Sequence, residues 1–369
     1  MAAGVYLHIP FCKSRCSYCD FATDVYRSGE AVERYVDALC FEIRNSKFEI
    51  QDLIDTIYFG GGTPSLLEPE HVETILSSVF SVFSVANDPE ITLEMNPATV
   101  TPEKLTSYRE LGVNRASFGV QTFNDRDLKL LARGHDSSDA RETYRMLRDE
   151  GFENISFDLI AGLPGQSMEY WQLNLDEAIE MSPEHISLYL LEIHEATPLA
   201  EQIRSGRRTP IEDDLAAEMY EVMLDRLAAS GYQQYEISNF ARPGFESRHN
   251  TKYWRLDPVY GFGVAAHSFD GRERLANDRD TAKYVEMIEQ FGSAETFREE
   301  INIASEAAFL GLRLNDGIDL HEFRKRFGID LKATADDLIE KGLVELSGER
   351  LRLTRKGMLF SNEVFAEFV

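Results

Sequence analysis

Three of the four cysteines in this chain, Cys12, Cys16 and Cys19, lie close together near the start of the sequence, directly after the apolar run at 5–10. Thiolates at such short spacing can ligate one metal centre. An iron–sulfur cube held by only three thiolates keeps one iron open for a small molecule, which suits a chemical rather than a structural role. A zinc site is the alternative, because ligand type alone does not identify the metal.

The composition is that of a globular protein from a reducing compartment. The chain has 369 residues, 43% hydrophobic and 28% charged, which is enough for two domains with a full core. Three clustered cysteines with one left over, Cys40, are not a disulfide framework. The sequence starts without a signal segment and has no run of 18 apolar residues, so we expect a cytoplasmic protein. The net charge of −26 would repel a phosphate backbone, so we expect no nucleic-acid partner.

Short β-branched or aromatic runs alternate with longer helical patterns, which is typical of βαβ units and a parallel sheet. Predicted strands cover residues 5–10, 56–61, 91–96, 115–121, 154–162 and 185–194. Predicted helices cover residues 30–46, 69–83, 102–111, 125–150, 168–181 and 213–229. Six such units predict an α/β fold, a partial (β/α)6 TIM-type barrel over residues 1–231.

The alternation changes after Gly231. Residues 232–240 predict a further strand, and the loop-rich stretch 232–290 is interpreted as a junction. A smaller C-terminal winged-helix-like α+β domain is predicted over 291–369. Its helical segments and hairpin lie at 303–314, 319–327, 332–341 and 343–354. Because 319–341 carries at least as many acids as bases, we favour a structural or partner-docking role for this domain over DNA binding.

Glycines and polar residues fall at the carboxyl ends of the predicted strands, where the functional groups of parallel barrels collect. The segment Gly60-Gly61-Gly62-Thr63-Pro64 is either a tight turn or a ligand site, because glycine permits close backbone approach. It lacks the Gly-Lys-Ser/Thr ending of a phosphate-binding loop. Four side chains on successive strand ends or loops are suited to hold a zwitterionic nucleoside, namely Glu94, Gln121, Arg133 and Asp158.

Five motifs together resemble one family. They are YLHIPFC (6–12), CSYCDF (16–21), YFGGGTPS (58–65), GVQTF (119–123) and DLIAGLPGQ (158–166). They are similar to motifs of the coproporphyrinogen III oxidase-like (HemN) family of the radical S-adenosylmethionine (SAM) superfamily. The resemblance covers nearly the whole chain and implies a 4Fe-4S cluster on Cys12, Cys16 and Cys19, with SAM on its open iron. It implies cofactor contacts from Tyr6, Tyr18, Gly61, Gly62, Thr63, Glu94, Gln121, Arg133 and Asp158.

Three features favour the haem chaperone (HemW) branch of that family. The oxidases have another cysteine where this chain has Phe21, and a long extension where this chain starts five residues before Tyr6. Residues 248–254 (RHNTKYW) also match HNxxYW, a pattern that resembles the haem-associated motif of the branch. The resemblance implies haem contacts from His249, Tyr253 and Trp254. A neutral imidazole is a good iron ligand and aromatic rings suit a macrocycle, but a packed aromatic corner is the alternative.

The first hypothesis for function is therefore a haem chaperone without coproporphyrinogen oxidase activity, which delivers haem to proteins such as respiratory enzymes. The alternatives are oxygen-independent coproporphyrinogen III oxidase, or another radical SAM enzyme that acts on a tetrapyrrole. The resemblance further implies haem-accepting apoproteins, an electron donor of the flavodoxin or ferredoxin type, a homodimer, and peripheral membrane association through partners. His267, in a glycine-rich loop, is expected to approach the SAM site.

Overall fold

A computed structural model describes residues 2–26, 28–46, 48 and 52–368. The strands are β1 (Ala2–Ile9), β2 (Phe11–Cys12), β3 (Asp24–Val25), β4 (Leu53–Gly61), β5 (Val85–Met95), β6 (Arg115–Gln121), β7 (Ile155–Ala161), β8 (His185–Leu190), β9 (Gln233–Glu236), β10 (Asn239–Ala241), β11 (Val259–Phe262), β12 (His267–Phe269), β13 (Glu273–Asn277), β14 (Glu295–Glu300), β15 (Ile318–Asp319), β16 (Val344–Ser347) and β17 (Arg350–Leu353). The α-helices are α1 (Gly29–Arg44), α2 (Pro69–Val82), α3 (Pro102–Glu110), α4 (Asp125–Leu130), α5 (Ser137–Asp149), α6 (Met168–Met181), α7 (Pro198–Arg204), α8 (Asp213–Ala229), α9 (Arg248–Arg255), α10 (Thr281–Phe291), α11 (Ile303–Arg313), α12 (Leu320–Phe327), α13 (Lys332–Glu340), α14 (Arg355–Leu359) and α15 (Ser361–Ala366).

The main sheet is built on six parallel strands that lie side by side in chain order, β1, β4, β5, β6, β7 and β8. Helices connect them, as in a TIM-type barrel. The predicted α/β partial barrel is therefore confirmed. The sheet continues at both edges. Strand β11 pairs with β1 in parallel and leads on to antiparallel β12, β13 and β14, while β10 and β9 continue the sheet beyond β8.

Successive side chains of the barrel strands point alternately into the apolar core and into the polar interior of the barrel. Val5, Leu7 and Ile9 of β1 are fully buried in one core with helix residues such as Leu39. The intervening positions are polar or glycine and face the inside of the barrel, because side chains alternate along a strand. They include Gly4, Tyr6 and His8 on β1, Thr56, Tyr58 and Gly60 on β4, Thr92 and Glu94 on β5, Arg115 and Gly119 on β6, and Asp158 on β7. Barrels of this type normally fill their interior with branched apolar side chains, so a polar interior indicates a binding site.

The structure differs from two of the predicted elements. The predicted helix 125–150 is wrong in its middle, where α4 ends and α5 begins after a separate loop at 131–136. Asp136 accepts hydrogen bonds from the backbone amides of Ser138 and Asp139, and such a cap starts a new helix. The predicted strand 232–240 is a hairpin, formed by the antiparallel pair β9 and β10. The first difference matters for the site, because the new loop contains Arg133.

The C-terminal segment has an apolar core of its own. Phe323, Leu338 and Leu351 are buried in one cluster that combines helices α11 to α15 with the sheet β15-β17-β16. The three helices and the hairpin predicted here are confirmed. Arg313 binds Glu236 of β9 (3.2 Å), which ties this segment to the barrel. The domain boundaries at 231 and 290 stay a prediction.

The packing of α14 gives a test of the C-terminal core. Gly357 lies so close to the carbonyl oxygen of Leu343 that an added Cβ would overlap it. We expect Gly357→Ala to lower the free energy of unfolding by about 1–3 kcal/mol, because an overpacked backbone contact has to move apart. Urea unfolding measures the change. Gly29→Ala is the control, since its Cβ meets nothing within 4 Å and the substitution favours helix. Equal losses in both variants would contradict the packing argument.

Candidate functional site

The cysteine loop forms hydrogen bonds with residues on three sides of the barrel opening. Cys12 ends β2, and Cys16 and Cys19 follow in the loop; all three thiols are free and partly exposed. The backbone amide of Leu199, at the start of α7, donates to Ser17 O (2.8 Å). On the other side, Arg279 donates to Asp20 O (3.2 Å), and His8 Nε2 meets Ala22 O at 2.9 Å. The loop therefore has a fixed place over the carboxyl ends of the strands.

Two hydrogen-bond donors approach the sulfur atoms. Thr63 Oγ1 lies 3.6 Å from Cys12 Sγ, and Arg133 Nη1 lies 3.5 Å from Cys16 Sγ. Burial raises the pKa of the Cys12 thiol to about 11 and also raises the pKa of Cys19. Such thiols become thiolates only beside a cationic centre, and three soft sulfur donors with polar support fit an iron–sulfur cluster. Within the described part of the chain, no three His, Cys, Asp or Glu side chains are arranged to hold a single metal ion.

A continuous chain of side chains connects two of the cysteines. Asn96 Nδ2 donates to Thr63 Oγ1 (2.7 Å), and Asn96 Oδ1 accepts from Arg133 Nη2 (2.6 Å). Arg133 also donates to Gly119 O (2.7 Å), while its buried Nε has no partner. The order is Cys12–Thr63–Asn96–Arg133–Cys16. Asn96 was not among the predicted site residues, although it lies two positions after Glu94, directly after the end of β5.

The glycine loop has a packing reason for its composition. Gly61 has a φ of +110°, and a Cβ on it would lie 2.6 Å from the His8 ring. A Cβ on Gly62 would lie 2.7 Å from the backbone of Pro10, and the Gly62 amide donates to Ile9 O (2.8 Å). Both glycines therefore allow β4 to run closely beside the strand that leads into the cysteine loop.

Glu94 is the acidic group nearest to this loop. Its carboxylate accepts hydrogen bonds from Tyr58 Oη (2.8 Å) and from the Gly61 amide (3.0 Å). Burial, followed by repulsion from Asp158, raises the pKa of Glu94 to about 7 despite these bonds. A carboxylate that gains a proton near neutral pH would bind a cationic group such as an ammonium readily, because the cation favours the ionised form.

The remaining residues that were predicted to contact SAM surround the same space. Gln121 ends β6 in a left-handed conformation (φ 64°) and is buried, which places its amide beside Gly119. Burial raises the pKa of Asp158, and the charges of Arg115 and Arg133 partly offset this effect. Tyr18 packs against a cluster that includes Leu131, two residues before Arg133, and Ile160, two residues after Asp158. The structure therefore brings Tyr18, Gln121, Arg133 and Asp158 together, as well as Tyr6, whose ring stacks on Tyr58 (6.1 Å between centroids).

His249 occupies the opposite, lower end of the barrel interior. It is only 1% exposed, and both ring nitrogens have partners: Nδ1 meets Thr56 Oγ1 at 2.9 Å and Nε2 meets Tyr253 Oη at 3.1 Å. Tyr58 stacks on its ring (5.0 Å between centroids). Burial lowers the pKa of His249 to about 3, so the imidazole is neutral. The surroundings are those of a packed aromatic corner, and no ring nitrogen is presented to a macrocycle.

Tyr253 and Trp254 continue from His249 in different directions. Tyr253 is half-buried, and its ring meets the His249 ring edge-on (5.4 Å between centroids). Trp254 packs against the C-terminal segment, where the Arg313 guanidinium lies 4.2 Å above its ring. The predicted haem residues are thus distributed between the interior of the barrel and a contact with the C-terminal core.

Two interior residues were missed by the sequence analysis. Arg115 is 1% exposed, and its Nε and Nη1 have no hydrogen-bond partner. Tyr189 is 43% exposed, yet its pKa is raised by burial and by the charges of Asp158, Glu236 and Glu94. Tyr189 shares its face of β8 with Ser187, the register partner of Asp158, and so faces the interior of the barrel. The alternation of β6 and β8 is the signal that would have identified both residues.

Comparison with known proteins agrees with this geometry. The sequence matches the Radical SAM superfamily over residues 6–178 and the HemN C-terminal domain over residues 299–360. It is 36% identical to the heme chaperone HemW of Bacillus subtilis over 99% of both chains. It is 32% identical to the heme chaperone HemW of Escherichia coli over 99% of this chain and 98% of the other. Coproporphyrinogen III oxidase (HemN) of Escherichia coli has the same fold, with a TM-score of 0.87 and 23% identity over 100% of this chain and 90% of the other.

The pKa of Glu94 leads to a prediction about stability. Its ordinary value is 4.5 and its value in the folded protein is about 7, so the folded state holds a proton that the unfolded state loses. The free energy of unfolding should therefore fall by about 3 kcal/mol as the pH rises from 4.5 to 7. We expect Glu94→Gln to remove this fall in urea unfolding of the metal-free protein between pH 5 and pH 7.5.

Two controls make this measurement specific. Glu42 of α1 is half-buried, and this burial also raises its pKa to about 7, so Glu42→Gln should remove a second fall of similar size. Glu110 is exposed at the end of α3, and Glu110→Gln should keep the pH dependence of the unmodified protein. If Glu94→Gln also kept it, the carboxyl would already be ionised across this range.

Proposed function

The chain belongs to the heme chaperone HemW family of the radical SAM superfamily, and we propose that it binds haem reversibly and delivers it to haem-dependent proteins. The observation that carries this proposal is the 36% identity to the Bacillus subtilis relative over 99% of both chains. The similarity therefore includes the barrel, the edge strands and the C-terminal segment. We propose that the protein has no coproporphyrinogen oxidase activity; Phe21, which is 66% exposed, stands where the oxidases carry a further cysteine.

The cysteine end of the barrel is proposed to hold a 4Fe-4S cluster on Cys12, Cys16 and Cys19. Thr63 and Arg133 would donate hydrogen bonds to the sulfur atoms, which stabilises thiolates and orients the loop. When bound, the cluster supplies an open iron for SAM and a source of one electron. The residues of the chain itself would position the ligands and limit the access of water to them.

SAM is proposed to bind between the glycine loop and the strand ends. Glu94, held by Tyr58 and the Gly61 amide, is suited to the amino group of the methionine moiety. Arg133 has an unpartnered Nε near the cysteines, and a guanidinium fits a carboxylate. Asp158 and Gln121 offer hydrogen-bonding groups deeper in the interior for the ribose or base. Tyr6 contributes an aromatic wall, and Tyr18 an aromatic ring beside the cysteines.

Of the three residues predicted to contact haem, we propose that Tyr253 is placed differently from His249 and Trp254. Tyr253 lies in the barrel interior beside the SAM residues, where a macrocycle could contact it. His249 and Trp254 support Tyr253 from below and from the C-terminal side, and their contact with haem stays a prediction. A chaperone must release its cargo, so we expect a moderate rather than an extreme affinity for haem.

Partners and location follow from the same proposal. We propose haem-accepting apoproteins, an electron donor of the flavodoxin or ferredoxin type, a homodimer, and peripheral membrane association through partner proteins. A cytoplasmic location is proposed from the cysteine usage, and no nucleic-acid partner from the acidic charge of −26. In the described ranges, no helix is long and apolar enough to cross a membrane.

One experiment separates the chaperone from the oxidase. The protein is loaded anaerobically with iron and sulfide, then with SAM, and ferric haem is added while absorption spectra are recorded. We expect iron–sulfur bands, saturable haem binding, and haem transfer to an apo-haem protein. Cys12→Ser should lose the iron–sulfur bands. Formation of protoporphyrinogen from coproporphyrinogen III by the loaded protein would establish the oxidase instead, and absence of haem binding would overturn the proposal.

The glycine loop provides a test of the SAM site. We expect Gly62→Ala to weaken SAM binding about tenfold or more, because the Cβ would meet the Pro10 backbone at 2.7 Å and push β4 away from the cysteine loop. Equilibrium dialysis with the cluster-loaded protein measures the change. Gly134→Ala is the matched control, since its Cβ would meet only Ser14 Oγ at 3.6 Å. Unchanged binding in Gly62→Ala would remove this loop from the site.

A further inference from the structure

Haem chemistry requires an accessible neutral imidazole or another axial ligand, and the histidines of this chain differ sharply in availability. Four of the eight are buried, namely His8, His135, His185 and His249. Three of these four also have both ring nitrogens hydrogen-bonded, as His185 has to Ser156 and Tyr235 (2.8 Å each). His71 uses its Nδ1 to cap α2. The exposed ones are His194, His267 and His321.

We propose that His267 is the axial ligand of the haem iron, and that Arg279 binds a propionate of the same haem. This inference rests on the proposed haem binding and names the residues that would carry it. It differs from the sequence expectation, which assigned the haem contact to the 249–254 motif. Three observations support this assignment: the position of β12, the charges around His267, and the exposed aromatic residues at the same opening.

His267 stands in a cleft that is continuous with the barrel interior. It begins β12, which is antiparallel to β11, and its backbone packs against Gly261, the register partner of Tyr6 on β1. His267 therefore lies on the interior face of the sheet, two strands from Tyr6. The side chain is exposed, yet surrounding protein lowers the pKa of its imidazole, as expected in a concave site. The Arg274 guanidinium lies 5.4 Å from the ring centre of Phe269, and Phe269 packs in one cluster with Trp254, which connects this cleft to the 249–254 motif.

The charges around His267 suit a ligand with carboxylates. Arg274 lies on β13 two residues before Ala276, the register partner of His267, and Arg279 follows Asp278, whose carbonyl accepts from the Ala265 amide (2.8 Å). Arg274 is already paired with Glu306. Arg279 is exposed and donates to Asp20 O (3.2 Å), and it forms no ion pair among the described residues. In a chain with a net charge of −26, an unpaired guanidinium beside a neutral imidazole is a specific place for an anionic macrocycle.

Aromatic side chains are exposed around the same opening. Phe21 follows Asp20, the residue whose carbonyl binds Arg279, and is 66% exposed. On the opposite wall Tyr189 of β8 is 43% exposed and faces the interior of the barrel. Flat apolar surfaces of this kind contact a porphyrin well.

His194 is the strongest competitor, and its charge environment argues against it. Its side chain is 48% exposed, but Nε2 lies 3.8 Å from the carboxylate of Glu192. An adjacent carboxylate repels haem propionates. His321 lies on α12 in the C-terminal core, away from the barrel opening. His194 is therefore a suitable control for a solvent-exposed histidine near the cysteine loop.

The test is a ferric haem titration of the full-length protein loaded with cluster and SAM, followed by absorption and electron paramagnetic resonance. We expect His267→Ala to weaken haem binding about tenfold or more and to shift the Soret band, while the iron–sulfur signal is unchanged. His267→Cys should restore tight binding with a thiolate-type spectrum, which a purely structural role would not produce. Arg279→Ala should weaken binding severalfold without moving the Soret band. His194→Ala should behave as the parent.

The outcomes separate this inference from the proposed function. If the parent protein binds no haem, the chaperone proposal fails and the ligand assignment fails with it. If the parent binds haem and His267→Ala and His267→Cys keep the parent spectrum and affinity, only the assignment of His267 is overturned. Loss of the parent spectrum in His249→Gln alone, with the fold and the iron–sulfur bands intact, would also overturn it and return the haem iron to the 249–254 motif.

Discussion

The alternation of side chains along the parallel strands is the constraint on which the rest of this structure depends. One face of each strand is apolar and is covered by helices, and this face supplies the main core. The other face is polar and is enclosed by the curvature of the sheet, so its groups have to satisfy one another or a ligand. The chain Cys12–Thr63–Asn96–Arg133–Cys16 is the clearest result, because four different loops and strands meet in it. Among the described residues, Nε and Nη1 of Arg115 and Nε of Arg133 have no hydrogen-bond partner, so the interior groups do not fully satisfy one another.

The interior has two ends with different roles. At the upper end the cysteines, the glycine loop and Arg133 lie together, and we propose that they hold a cluster and SAM. At the lower end His249 connects Thr56 of the barrel to Tyr253, and Trp254 reaches the C-terminal core. Tyr58 joins the two ends, since its hydroxyl binds Glu94 while its ring stacks on His249. The 249–254 motif is thus an internal connection between the barrel and the C-terminal segment, whatever contact it also makes with haem.

Most of the fold could be predicted from sequence because it depends on local patterns. The six barrel strands, the cysteine loop and the C-terminal hairpin each have a short-range signal of period, turn or spacing. The break between α4 and α5 was missed although it has a local signal, because Gly134 and the Asp136 cap interrupt an otherwise continuous helical pattern over 125–150. Strands β11 to β14 were missed for another reason. They are short, and their stability comes from pairing with β1 and with one another rather than from their own composition.

The sequence by itself determined the kinds of groups available: three clustered thiols, a glycine loop, acids and an arginine at strand ends, and an aromatic motif after residue 247. Tertiary structure decided which of them meet. Asn96 connects Thr63 to Arg133 by hydrogen bonds. His249 is buried with both ring nitrogens hydrogen-bonded, whereas the side chain of His267 is exposed near two arginines. The physical reason is that strand register and the course of a loop set these distances. They are fixed by packing among residues far apart in the chain, which no local pattern records.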